Sequence, residues 1–172
     1  DTMQQSTYLP SYAEYLERAR GDAPRRETLV IGEHYVPRER LMAFMQRARA
    51  MLRAQGSEVI YGTIRSILRD TVSFLPWAKD DYACVVFNLR TLHTTAGVRR
   101  TAAAFRALTD ASLALGGSFF LTYHRHASAE QVEAAYPRFR EFLQRKRALD
   151  PHEQFTSDWY RHYRDAFAAL TP

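Results

Sequence analysis

The alternation between two-residue and helical hydrophobic periods over residues 28–127 constrains the fold of this chain more than any other feature. Helical spacing covers residues 38–55 and 94–115. Strand-like runs rich in β-branched and aromatic residues cover 28–36, 58–70, 82–91 and 118–125. The resulting order, β-α-β-β-α-β, is that of a ferredoxin-like split βαβ unit. We therefore predict an α+β fold in which two helices cover one face of an antiparallel sheet. The other face would be covered by another layer or would contain a functional site.

Further helices are predicted after this unit. Ser128 and Gln131 form a capping-box pattern at a helix start. The helix that follows is predicted to bury Val132, Ala135, Phe139, Phe142 and Leu143. Asp150-Pro151 should end it, because the residue before a proline disfavours helical backbone. A last short helix is expected over residues 159–170.

Three segments follow from this reading of the chain. Residues 1–27 are rich in tyrosine, proline and charge, with a candidate short helix over residues 12–20, and we interpret them as a connector from an upstream domain. Residues 28–127 form the ferredoxin-like domain, and residues 128–172 form a C-terminal helical segment. The polar start has no initiator methionine and no apolar signal region, so we expect a piece of a longer protein.

The charge pattern argues against a nucleic-acid partner. The net charge is +5, but the basic residues are mostly arginines interspersed with acids, and no run of five or six like charges occurs. An RNA-recognition domain shares the predicted strand order. The run Tyr82–Leu89, however, lacks the basic-Gly-aromatic-Gly start of its aromatic motif.

The cysteine count and the hydropathy of the sequence indicate the cellular compartment of the protein. Cys84 is the single cysteine, so no intrachain disulfide can form, and its apolar neighbours predict a small buried residue. No run approaches the roughly 18 apolar residues of a membrane helix. We expect a cytoplasmic protein without an integral membrane segment, which could still lie at the membrane surface.

The familiar cofactor and metal motifs are missing from the sequence. It contains no G-x-G-x-x-G, P-loop, H-E-x-x-H or Cys-His zinc pattern. Gly116-Gly117 is more simply a helix end than a phosphate loop. The residues by themselves therefore indicate no cofactor-binding loop and no metal site.

Two groups of polar residues are candidates for function. Arg65 lies in the middle of a predicted strand, where a guanidinium needs a partner, solvent or a ligand. Tyr123-His124-Arg125-His126 follows the fourth strand, where two imidazoles, a phenol and a cation could bind an acidic substrate or transfer a proton. Each group could equally be a solvated strand surface.

The C-terminal third carries a recognisable pattern. It comprises Ala134-Ala135-Tyr136-Pro137, then Phe142, then Lys146-Arg147-Ala148-Leu149-Asp150-Pro151, then Phe155-Thr156-Ser157-Asp158. This ending, with the strand Thr63-Ile64-Arg65-Ser66-Ile67, resembles the C-terminal part of FAD-linked oxidases of the vanillyl-alcohol oxidase type. The similarity is greatest to aldono-lactone oxidases and decaprenylphosphoryl-ribose oxidases. It covers roughly residues 58–160.

The resemblance implies a substrate-binding (cap) domain and an activity. FAD would be bound mainly by an upstream domain, and a small alcohol or sugar-like substrate would lose a hydride to the flavin. Arg65, Thr63 and Arg125 would bind the substrate. Thr63 stands where sugar-alcohol oxidases have an acidic residue, and Tyr123 stands where the decaprenylphosphoryl-ribose oxidases have a lysine. Tyr123 or His124 would then be the proton-transferring residue.

Two other functions remain open from the residues alone. The chain could be a free-standing ferredoxin-like module that binds a ligand or a protein without catalysis, since this fold serves many functions. It could also be the RNA-binding protein that the charge pattern disfavours. An exposed sheet face could in addition support a homodimer.

Overall fold

The computed structural model describes residues 26–169. The strands are β1 (Glu27–Pro37), β2 (Val59–Ile67), β3 (Tyr82–Leu92) and β4 (Ser118–Phe119). The helices are α1 (Leu41–Ala54), α2 (Thr95–Leu113), α3 (Ala129–Ala135), α4 (Phe139–Leu149) and α5 (Asp158–Ala168). A 3-10 turn, Arg38–Arg40, precedes α1. The predicted connector and its short helix lie outside the described residues.

The four strands form one antiparallel sheet in the order β2-β3-β1-β4. The long central pair is β1 with β3, in which Glu33 lies opposite Val86 and Tyr35 opposite Cys84. This order is that of a split βαβ fold. The predicted α+β ferredoxin-like class is confirmed.

Helices α1 and α2 cover one face of the sheet, as predicted. On β3 the alternate residues Ala83, Val85, Phe87 and Leu89 point to this side, because side chains of a strand alternate between faces. Phe44 of α1 and Phe105 of α2 are fully buried against them. This layer is the main hydrophobic core.

The opposite face of the sheet is only partly covered. Tyr82, Cys84 and Val86 of β3 point to this side with Tyr35 of β1. The loop between β2 and β3 packs on them through Trp77 and Ala78. Beyond this loop the face carries polar side chains.

The fourth strand is much shorter than predicted, and the expected strand 118–125 was wrong beyond Phe119. The chain leaves the sheet because side chains from the helices bond its backbone instead. The Trp159 indole donates to the Leu121 carbonyl at 3.0 Å, and the Arg106 guanidinium donates to the His126 carbonyl at 2.6 Å.

The helix predicted after Ser128 is in fact two helices. Its capping box is present, with both reciprocal bonds between Ser128 and Gln131. Tyr136 then has φ −128° and ψ 79°, because Pro137 excludes helical backbone at the preceding residue. The break lets the Tyr136 hydroxyl donate to the Phe119 carbonyl. Helices α3, α4 and α5 then close a second core around Phe139.

Tight packing at Gly117 gives a testable prediction for this architecture. A Cβ there would lie 1.9 Å from the Tyr35 carbonyl oxygen, whereas at Gly56, with φ +60°, it would meet nothing within 4 Å. We expect Gly117→Ala to lower the free energy of unfolding by about 3 kcal/mol or more. Gly56→Ala should cost only about 1 kcal/mol of backbone strain.

Chemical denaturation of both variants measures this difference. Equal losses would show that β1 and the start of β4 do not approach as closely as described.

Candidate functional site

A single carboxylate organises the polar part of the uncovered sheet face. Glu33 lies in β1, and its side chain points away from α1 and α2, as do Tyr35 two residues later and Cys84 on β3. The Glu33 side chain is only 11% exposed. A carboxylate so enclosed needs partners: Tyr35, Cys84 and Tyr123 donate hydrogen bonds to it, and Arg65 forms an ion pair with it.

Buried donors contact one carboxylate oxygen, Oε2. The Tyr35 hydroxyl donates to it at 3.0 Å, and the Cys84 thiol lies 3.6 Å away. Burial first, and then the Glu33 charge, raises the pKa of the Cys84 thiol to about 12. The same two causes raise the pKa of the Tyr35 phenol. Both groups therefore remain protonated donors. Cys84 is the buried residue that the sequence predicted.

Exposed donors contact the other oxygen, Oε1. The Tyr123 hydroxyl donates to it at 2.9 Å, and Arg65 Nη1 lies 3.9 Å from it. The Arg65 side chain is 61% exposed and Tyr123 is 43% exposed. Arg65 comes from the edge strand β2 and Tyr123 from the segment after β4, so the two edges of the sheet converge on Glu33.

Thr63 lies in the same row of the sheet as Glu33. Both residues pair with Val86, which stands between them on β3. The Thr63 hydroxyl oxygen is buried and has no hydrogen-bond partner among residues 26–169. A buried hydroxyl without a hydrogen-bond partner is costly.

His124 and Arg125 lie apart from Glu33. The His124 ring packs 4.3 Å from Phe105 of α2 and 4.6 Å from His126, between ring centroids. Burial, then the neighbouring His126, lowers the pKa of His124 to about 3. Arg125 donates to the Asp158 carbonyl of α5 at 3.1 Å.

The structure thus divides the predicted group. Thr63, Arg65 and Tyr123 share one face, while His124 and Arg125 line a shallow pocket of about 530 Å³ with His126 and His162. Tyr123 lies at the border of the two regions, since it also lines that pocket. His124 is a neutral, half-buried ring that packs on Phe105 at the edge of this pocket.

Sequence reasoning missed Glu33 and Tyr35. A carboxylate in the middle of a strand was a signal of the same kind as Arg65 in β2, because a buried charge needs a partner. The identity of the four partners was not readable, since they come from three strands and a loop.

Within residues 26–169, no group of three or more His, Cys, Asp or Glu side chains is arranged to hold a metal ion. No helix in that range has both the length and the apolar character needed to cross a membrane.

The sequence matches a known protein family. The sequence model of the D-arabinono-1,4-lactone oxidase family matches residues 24–163, most of the chain. The chain belongs to this family. The resemblance to aldono-lactone oxidases in the C-terminal part is thereby confirmed, and membership of the lactone oxidase family indicates an oxidoreductase. No curated protein matches the chain significantly.

Buried histidines beside this site give a prediction for acid stability. Burial, then the neighbouring His124, lowers the pKa of His34 to about 3, as burial does for His124. The unfolded chain binds these protons at its ordinary pKa near 6.5. Stability therefore decreases as the pH falls from about 6.5 towards 3.

We expect the free energy of unfolding to fall by about 2 kcal/mol per buried histidine between pH 7 and pH 5. Urea denaturation at pH 7 and at pH 5 measures this change in the free energy of unfolding. His124→Phe should remove part of the decrease, whereas His152→Phe, at an exposed position, should leave it unchanged. Equal pH dependence in all three proteins would contradict the neutral state of His124.

Proposed function

We propose that this chain is the substrate-binding part of an FAD-linked oxidase and that the polar sheet face around Glu33 forms a wall of its substrate site. One observation carries the proposal. Arg65 and Tyr123 reach a common carboxylate from opposite edges of the sheet, on the face that α1 and α2 leave uncovered. Membership of a lactone oxidase family supports an oxidase activity for the longer protein.

The chemistry of the face suits a small, hydroxyl-rich substrate. Arg65 offers several exposed N–H donors. The Thr63 hydroxyl can donate or accept, and the Tyr123 oxygen can accept while its proton is held by Glu33. A neutral alcohol or sugar-like molecule presents hydroxyl groups of both kinds. We propose that Arg65 and Thr63 bind and orient it.

The same face fits a role next to a flavin ring rather than around the flavin phosphates. The sequence holds no Gly-rich phosphate loop, so the phosphates would be bound by an upstream domain. Bound FAD would supply the acceptor for a hydride from the CH–OH carbon of the substrate.

An absorbance spectrum of the longer protein tests the proposal first. Flavin bands near roughly 375 and 450 nm, characteristic of the cofactor itself, are expected in the purified protein. Their bleaching under anaerobic conditions by a sugar lactone or sugar alcohol would identify the substrate class. A colourless protein would refute the oxidase assignment and favour a ferredoxin-like binding module without catalysis.

Arg65 gives the matching mutational prediction. In the longer protein, Arg65→Met should raise the substrate concentration needed for half-maximal flavin reduction by about tenfold or more, since a charge-assisted hydrogen bond is lost. Arg99→Met removes an exposed arginine of α2, on the helix-covered side, and should have no effect. Stopped-flow flavin reduction measures this substrate concentration in both variants. The same value in Arg65→Met and Arg99→Met would show that Arg65 does not bind the substrate.

A further inference from the structure

The two oxygens of Glu33 have different surroundings. Oε2 contacts Tyr35 and Cys84, which are 0% and 1% exposed. Oε1 contacts Tyr123, which is 43% exposed. One oxygen is therefore held from within the protein, while the other is reached through a side chain that a ligand can touch.

Glu33 itself is poorly placed to contact a ligand. Its side chain is 11% exposed, compared with 61% for Arg65. A molecule that approaches this face meets the Tyr123 phenol and the Arg65 guanidinium first. Whatever Glu33 contributes to a ligand must pass largely through these two groups.

The direction of the Tyr123 hydrogen bond then matters. A carboxylate only accepts, so the Tyr123 proton lies towards Glu33 Oε1 at an oxygen–oxygen distance of 2.9 Å. The lone pairs of the phenol oxygen remain to accept a hydrogen bond from the outer side. A ligand hydroxyl that donates there would complete a continuous chain from the ligand oxygen to Glu33.

We propose that Tyr123 and Glu33 form a proton relay, in which Tyr123 accepts the hydroxyl proton of the substrate while passing its own proton to Glu33. This inference rests on the proposed function. Glu33 acts through Tyr123 and is a positioning residue as well as the final proton acceptor.

The step balances when the substrate is oxidised at a CH–OH carbon. The C–H bond breaks and its hydride, with two electrons, leaves for the flavin. The substrate O–H bond breaks as a new O–H bond forms on Tyr123, and the original Tyr123 O–H bond breaks as one forms on Glu33 Oε1. The substrate becomes a carbonyl compound.

Arg65 and the buried donors keep the relay in place. Arg65 Nη1 lies 3.9 Å from Oε1 and helps to orient this oxygen. Tyr35 fixes Oε2 through a 3.0 Å hydrogen bond, which orients the carboxylate towards Tyr123. His124, by contrast, contacts Phe105 and His126 on the other side of the segment and has no part in this chain of contacts.

The first experiment follows the Tyr123 phenol in the chain itself, without a cofactor. Burial, and then its bond to Glu33, raise the pKa of Tyr123 above its ordinary value. Replacing the carboxylate by an amide in Glu33→Gln should lower that pKa, as observed by NMR of ring-labelled tyrosine, with the signal assigned through Tyr123→Phe. Glu39→Gln changes an exposed carboxylate just beyond β1 and should leave it unchanged. An unaltered Tyr123 titration in Glu33→Gln would overturn the relay.

The second experiment measures substrate-dependent flavin reduction in the longer protein. Tyr123→Phe and Glu33→Gln should each slow the limiting rate by about a hundredfold, the usual contribution of acid–base catalysis, with little change in substrate affinity. Glu33→Asp should restore part of the rate.

The outcomes separate the relay from the proposed function. Normal limiting rates in both variants, in a protein that reduces flavin, would overturn the relay alone. A weaker affinity with an unchanged limiting rate would also overturn it, since it would give Glu33 a binding role only. A longer protein that contains no flavin would overturn both.

Discussion

Enclosure of the Glu33 carboxylate is the constraint on which the polar face of the sheet depends. A charge on a mostly covered sheet surface must be met by partners, and here they arrive from β1, β3, β2 and the segment after β4. These contacts therefore gather the polar groups on one face of the sheet. The contacts that satisfy the Glu33 carboxylate are therefore also the contacts that place the candidate functional groups.

The helix-covered face of the sheet supports the polar groups on the opposite face. Helices α1 and α2 bury the alternate residues of β1 and β3 in an apolar core, which is the main favourable term in folding. Neutral His34 lies within that core, 6.2 Å from the Phe105 ring between centroids. A rigid layer on one side lets the other side keep polar groups in fixed positions.

The segment after β4 links the two regions. Tyr123 turns towards Glu33, while His124 turns towards Phe105 and α2. This division occurs because bonds from Arg106 and Trp159 hold the backbone outside the sheet. Residues that are adjacent in the sequence, and that looked like one cluster, therefore lie in different environments. Within residues 123–126, only Tyr123 contacts the Glu33 carboxylate.

The sequence by itself determined the order of strands and helices, the caps at Thr94 and Ser128, and the family, because hydrophobic period and local motifs are encoded over short distances. It also singled out Thr63, Arg65 and Tyr123. Only the tertiary structure decided that Arg65 and Tyr123 meet at Glu33, that His124 does not, and that the last strand ends at Phe119. Those outcomes depend on pairing between strands and on side chains from distant helices, which no local pattern records.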